Sequence, residues 1–294
     1  MSHWKGKSRG GAFGYRFFIL LIHKSGIRFT YFFLAFVVCW FIVFAPSAVG
    51  SVWFYSRKIL KLNPVGSFFM LFRNFYAFGQ TLIDKVAIRG GMASKYRYEF
   101  ENYEEFLNVL NSDTGVIMIG AHVGNWEAGG TFFGDYASKM NVVMFDVEYE
   151  KIKKLIAENS QEIKYKIIPV SENDLGHVYA VKDALDRKEY VCFQGDRFIS
   201  EKTSFKTNFM GREAKFPFGP FKTAAVLKAP VVFYFSMREK GMKYKFKFTH
   251  IPVISEMTTR ESTTRLKKEY IRSLEKIVNE YPEQWFNYYK FWDR

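Results

Sequence analysis

The segment Gly120-Ala121-His122-Val123-Gly124-Asn125-Trp126-Glu127 puts an imidazole and a carboxylate five positions apart. Imidazole titrates nearest to neutral pH. A carboxylate beside it can fix one ring nitrogen as N–H and leave the other to take a proton. His122 is therefore a candidate general base, and Glu127 a candidate to orient it and stabilise its charged form. The preceding run Gly115-Val116-Ile117-Met118-Ile119 reads as a buried strand, and Ala128-Gly129-Gly130-Thr131-Phe132-Phe133 can open a helix. A helix starting at Asn125 or Trp126 would aim its first amides at the same pocket and favour developing negative charge, which makes Asn125 a candidate substrate contact. The competing account is a structural histidine with Glu127 on a solvated helix face. The flanking glycines and the apolar strand weigh against it.

Other candidates lie downstream. Asp196 and Arg197 follow the strand-like run Glu189-Tyr190-Val191-Cys192-Phe193. Strand ends face the crevice in open α/β folds, so Asp196 could position a substrate hydroxyl or hold the local loop. Arg197 and Arg212 could bind an anionic group. Gly211 and Gly219 permit close backbone approach, and Gly219-Pro220 precedes a helix whose amides could form an anion or oxyanion site. Competing chemistries lack their patterns. There is no dinucleotide glycine spacing, no phosphate-loop Lys-Ser/Thr, no zinc-protease His spacing and no Gly-x-Ser-x-Gly. Cys39 and Cys192 make neither a disulfide framework nor a metal pattern and read as packing residues. No metal and no cofactor are implied.

The elements around these residues alternate. Leu60–Lys85 reads as helical, and Arg97–Leu110 as an amphipathic helix with Phe100, Tyr103, Phe106 and Leu107 at helical spacing. Strands follow at Val142–Phe145 and Lys166–Val170, with a Lys/Glu-rich helix near Glu148–Ser160 between them. His177–Lys188 is a helix, and the strand ending at Phe193 follows it. After a loop come a helix at Phe221–Lys228, a strand at Val231–Met237 and the alternating strand Lys243–Phe248 with one basic face. Thr259–Tyr281 is a long helix. This order predicts an α/β fold: a three-layer sheet with flanking helices.

The first 55 residues differ in kind. Met1–Gly11 is short and basic, Ala12–His23 reads as an interfacial helix, and Phe29–Ala45 is almost wholly apolar up to Pro46. We expect a basic N-terminus and hydrophobic membrane anchor over residues 1–55, and a catalytic α/β domain over 56–294. Lys5, Lys7, Arg9, Arg16, Lys24 and Arg28 precede the apolar run, and Arg57, Lys58 and Lys61 follow it. Cations on both flanks favour helices that associate with one leaflet over a single span. The 294 residues carry a formal charge of +14 and 19% aromatic residues, with 33 Phe. The charge calls for an anionic partner: a lipid surface, an acidic protein or nucleic acid. No DNA- or RNA-binding motif is present, so no nucleic acid is expected. The aromatic content suits a membrane interface or an acyl-lined groove.

The blocks also resemble a known family. Gly120–Glu127 is similar to the first motif of the lipid A late acyltransferases (lauroyl and myristoyl transferases), a group within the lysophospholipid-acyltransferase-like superfamily. The hydrophobic N-terminus matches as well, as does the Gly195-Asp196-Arg197 turn, where the family usually has Asp-Gln. Phe209-Met210-Gly211-Arg212-Glu213-Ala214 resembles its Phe-Phe-Gly block, and Phe218–Ala225 its helix entry. Tyr281–Trp292 is similar to its aromatic-basic C-terminal signature. Departures are Arg197 for Gln, Met210 for Phe, and Lys164 and Lys166 where an Arg is common. The resemblance implies a membrane-associated acyltransferase at the cytoplasmic face of a bacterial inner membrane. Its donor would be acyl-acyl carrier protein or acyl-CoA, and its acceptor a saccharolipid precursor. Arg197 or Arg212 would then meet a headgroup or the donor's phosphopantetheine. An aminolipid, lysophospholipid or pigment precursor is the alternative acceptor. A non-catalytic membrane protein that binds anionic polymers is the alternative from another class.

Overall fold

The computed structural model describes residues 12–125, 134–145, 165–170, 176–198 and 200–292. Helix α1 (Ala12–Phe44) takes in both apolar N-terminal segments and kinks at Gly26. Pro46 ends the run by opening α2 (Pro46–Phe54), since proline suits a first helical position and no later one. Helix α3 (Pro64–Ala87) starts the same way, and the Asn63 side chain accepts the Gly66 N–H at 2.7 Å to close its first turn.

Nine strands follow in chain order among the described residues: β1 (Arg97–Glu101), β2 (Val116–Gly120), β3 (Met140–Phe145), β4 (Lys166–Val170), β5 (Tyr190–Gln194), β6 (Ser204–Phe209), β7 (Arg212–Pro217), β8 (Val231–Glu239) and β9 (Lys243–Ile251). Seven of them form one sheet in the order β1-β9-β8-β2-β5-β3-β4. Strands β8, β2, β5, β3 and β4 run parallel, β9 runs antiparallel to β8, and β1 runs parallel to β9. The central β2 is buried over all five residues, as a parallel strand covered on both faces must be.

Successive side chains of β2 point to opposite faces, and each face has its own helical layer. Ile117 and Ile119 pack with α5 (Gly176–Asp186), α6 (Gly219–Val226) and α7 (Thr259–Glu280), through Val181, Phe221, Tyr270 and Leu274. Val116 and Met118 pack with Leu34 and Val38 of α1, Phe75 and Ile83 of α3, and Phe106 of α4 (Tyr103–Leu110). The result is the three-layer α/β fold expected, with one apolar N-terminal helix. That helix shares its core with the sheet. Its other side exposes Phe29, Phe32, Phe36, Trp40 and Val43 at helical spacing, and α3 exposes Val65, Phe68 and Phe69.

Two expectations fail. Arg97–Leu110 is not one helix: it is strand β1, a left-handed Asn102 (φ 56°) and the short α4. The reason is long-range pairing. Glu99 and Glu101 face Lys243, Lys245 and Lys247 of β9, and Phe100 stacks on Phe246 with centroids 5.1 Å apart. The basic face of β9 is thereby met by the acids of β1. The second failure is the loop before α6, which is the hairpin β6–β7. Its two-residue turn is Met210-Gly211 with φ of 54° and 79°, both left-handed as a tight hairpin demands. The helix expected near Glu148–Ser160 lies outside the described residues.

Candidate active site

The site forms where β2 and β5 leave the sheet. Gly120 and Gln194 are register partners on these parallel strands. Two residues beyond each stand His122 and Asp196, so the same offset from paired positions brings them together. His122 Nδ1 lies 2.8 Å from Asp196 Oδ1, and the His122 backbone N–H donates to Asp196 Oδ2 at 2.9 Å. One carboxylate thus holds both the ring and the main chain of the histidine. Asp196 is fully buried, while the His122 side chain keeps 16% of its surface exposed. The histidine therefore keeps an edge at the surface and the aspartate stands behind it.

Electrostatics fix the tautomer. Burial alone pushes the Asp196 carboxyl up. Charge on the His122 imidazole, its ring hydrogen bond, the Arg197 guanidinium and the His122 backbone N–H outweigh burial and hold the carboxyl below its ordinary value of 3.8. An ionised carboxylate only accepts, so Nδ1 carries the proton and Nε2 is the atom suited to accept one. The stability consequence has a definite sign. The folded pKa lies below the unfolded one, so the unfolded chain binds more protons between them. The contribution of Asp196 is complete above the ordinary value and is lost as pH falls through the depressed one. Asp196→Asn should flatten the acid arm of the stability profile, read from denaturant melts in buffers on either side of pH 3.8. An unchanged arm would mean that the carboxylate is not ionised in the fold.

The turn after His122 is clamped from two sides. The Gly124 N–H donates to Gln284 O at 2.9 Å, and the Asn125 N–H to Ser236 O at 2.8 Å. The His122 carbonyl accepts the Phe286 N–H at 3.0 Å, and Val123 bridges to Trp285. Gly124 has φ +62°, and a Cβ there would stand 2.1 Å from Ser236 O, so no larger residue fits without moving β8. On the β5 side, Gly120 O accepts both the Gly195 N–H (2.9 Å) and the Tyr270 hydroxyl (2.8 Å). The Tyr289 hydroxyl donates to Asp196 O at 3.2 Å. The segment Gln284–Tyr289 is thus part of the site's frame, which its composition had marked only as aromatic and basic.

The remaining candidates separate. Arg197 Nη2 donates to Phe286 O at 3.2 Å, which puts this guanidinium on the same tail segment as His122. Asn125 is buried, and its side-chain N–H donates to the Tyr244 hydroxyl at 3.0 Å, a commitment within the fold. Gly211 forms the hairpin turn, and Arg212 lies over the Phe54 ring of α2 at 5.2 Å. Gly219 opens α6. Glu127 lies outside the described residues. The carboxylate seen on Nδ1 is Asp196, a residue marked in the sequence by its strand-end position and by the turn that resembles the family's Asp-Gln, and not as the partner of His122. Cys192 is buried and its thiol is pushed up to about 12, which keeps it protonated.

A helix-flanked sheet thus carries a histidine held by a buried aspartate at the ends of two central parallel strands, an arrangement of the kind that can pass a proton to and from a bound group. The sequence pattern described as bacterial lipid A biosynthesis acyltransferase matches residues 70–294, and the chain belongs to that family. It is an acyltransferase. No curated protein sequence matches it.

Proposed function

We propose that the protein moves a fatty acyl chain from a thioester to a hydroxyl or amine of a lipid A-type saccharolipid precursor, at the cytoplasmic face of a bacterial inner membrane. The observation that carries this reading is the His122–Asp196 pair, set in a chain of the acyltransferase family. His122 Nε2 takes the acceptor's proton as the acceptor atom bonds the thioester carbonyl. The tetrahedral intermediate then collapses, the carbon–sulfur bond breaks, and the departing thiolate takes the proton back from the imidazolium. Asp196 keeps Nδ1 protonated and stabilises the transient charge. Glu127 follows His122 by five positions in the sequence and, by family resemblance, acts through it. Arg197 and Arg212 are the cations for headgroup or donor phosphate.

Acyl-acyl carrier protein is the donor that the charge favours. An acidic carrier approaching a chain of +14 is steered, so its rate at low concentration should fall as salt rises. Acyl-CoA has the same reactive bond without that acidic surface and should be poorer and less salt-sensitive. Intact-lipid mass spectrometry of a deletion strain tests the acceptor. We expect one acyl chain to be missing from the saccharolipid and restored by the wild-type gene. Loss from another lipid class would reassign the acceptor, and an unchanged lipidome would reject the reading.

The exposed aromatics of α1 and α3 support a membrane seat. Each contributes about 1.5–3 kcal/mol when fully buried in lipid, and salt does not screen apolar burial. The protein should therefore stay on membranes through a high-salt wash. A Phe32→Ser, Phe36→Ser, Trp40→Ser variant alters exposed positions only, so it should fold and become washable. Wild-type protein found wholly in the soluble fraction would refute the seat.

A further inference from the structure

A buried polar cluster apart from the His122–Asp196 pair centres on Asp84. This residue of α3 is fully buried. Its Oδ1 accepts the hydroxyls of Tyr31 and Tyr96, the latter at 3.0 Å. Its Oδ2 accepts Arg238 Nε at 2.8 Å and the Tyr244 hydroxyl. Four donors from α1, the segment before β1, β8 and β9 thus converge on one carboxylate. Burying a carboxylate–guanidinium pair is a weak way to gain stability, because apolar side chains of similar size often serve as well. What such a cluster supplies is fixed geometry, and the geometry here leads to the active-site turn by two routes.

The first route passes through Tyr244. Its hydroxyl donates to Asp84 and accepts the side-chain N–H of Asn125, three residues after the histidine. The second passes through Arg238. The Gln284 side chain grips the Arg238 main chain in both directions, accepting its N–H at 2.8 Å and donating to its carbonyl at 2.7 Å. The Gln284 carbonyl in turn accepts the Gly124 N–H. At the other end of the cluster stands Tyr31, inside the apolar helix α1. Its ring lies 5.1 Å beneath the Arg238 guanidinium, and its carbonyl accepts the Tyr76 hydroxyl at 3.0 Å.

We propose that Asp84 is a positioning residue for acyl transfer, coupling the seat of the apolar helix at Tyr31 to the Gly124–Asn125 turn that aims His122. The acyl-transfer part rests on the function proposed above, whereas the coupling itself is independent of it. Loosening the cluster tilts the turn without removing any group from the site, so the chemical step slows while substrate affinity is kept. Misplacement of this kind from a distance costs up to about 10²-fold in rate.

The test uses full-length protein. Asp84→Asn leaves Arg238 buried without its counter-charge and can fail to fold. Tyr31→Phe is the decisive variant, because it removes one hydroxyl and keeps the ring under Arg238. Tyr136→Phe removes a hydroxyl bonded to Asn111 elsewhere and serves as the control. We expect Tyr31→Phe to lower kcat by roughly tenfold or more with KM for acyl donor nearly unchanged. We also expect it to be non-additive with Asn125→Ala, because Asp84 and Tyr244 join the two side chains. Amide hydrogen exchange supplies a readout that needs no turnover. Exchange at Gly124 and Asn125 should quicken in Tyr31→Phe and stay at the wild-type rate in Tyr136→Phe. Faster exchange in a protein whose wild type shows no acyl transfer would uphold the coupling and reject the proposed function instead. Unchanged exchange at the turn, or additive kinetic effects, would overturn the proposal.

Discussion

His122→Ala should lower turnover by about 10²- to 10⁴-fold, the usual contribution of a positioned general base. Asp196→Asn should lose less than or as much as this, because Asp196 acts through the histidine, whose ring and main-chain N–H it holds at 2.8 and 2.9 Å. The double variant should be scarcely worse than His122→Ala alone, since a residue that works through another has nothing left to orient once its partner is gone. Glu127→Ala belongs in the same cycle and should behave in the same way if it too acts through the imidazole. The measurement is steady-state acyl transfer with each variant checked for folding by its melting curve. A folded His122→Ala protein with near-normal turnover would remove the histidine from the mechanism. Fully additive losses at His122 and Asp196 would show that Asp196 has a role of its own.

Gly124→Ala should abolish the active fold of the turn, and Gly211→Ala should not. Both positions have positive φ, which costs a residue with a Cβ about 1–2 kcal/mol. Only at Gly124 does the new methyl meet main chain, 2.1 Å from Ser236 O, whereas nothing lies within 4 Å of it at Gly211. Forcing an atom into packed structure adds about 1–3 kcal/mol. The strain also falls on the hydrogen bonds that set the His122 turn. We therefore expect Gly124→Ala to melt well below wild type and to lose activity, and Gly211→Ala to lose about 1–2 kcal/mol of stability and keep its activity. Equal losses in the two variants would show that the contact with Ser236 is not a constraint.

These expectations draw unequally on sequence and structure. Elements whose identity is local were legible in the chain. The central strand Val116–Gly120 shows as a continuous apolar run, and the long helix read at Thr259–Tyr281 is found at Thr259–Glu280. His122 itself was legible, because a histidine among small residues after a buried strand is a local pattern. Features made by distant partners were not. Arg97–Glu101 has a helical period and becomes a strand because Lys243–Lys247 lies alongside it, some 140 residues on. Met210-Gly211 makes a tight turn without the usual Asn-Gly or Asp-Gly signal, so the hairpin stayed hidden.

The sequence by itself determined the class of fold, the candidate histidine and the apolar character of the N-terminal helix, all properties of single elements and their patterning. Only the tertiary structure decided which carboxylate holds Nδ1. That choice depends on the pairing of Gly120 with Gln194, which puts the ends of β2 and β5 side by side across 74 residues of chain. It likewise decided that Tyr31, in a run that reads as a simple anchor, reaches inward to Asp84. A hydroxyl in an apolar helix has no preferred direction until the fold presents a buried acceptor. Strand register and buried polar pairing are set by surfaces that meet only when the chain has folded, and no local pattern of residues encodes which surface will arrive.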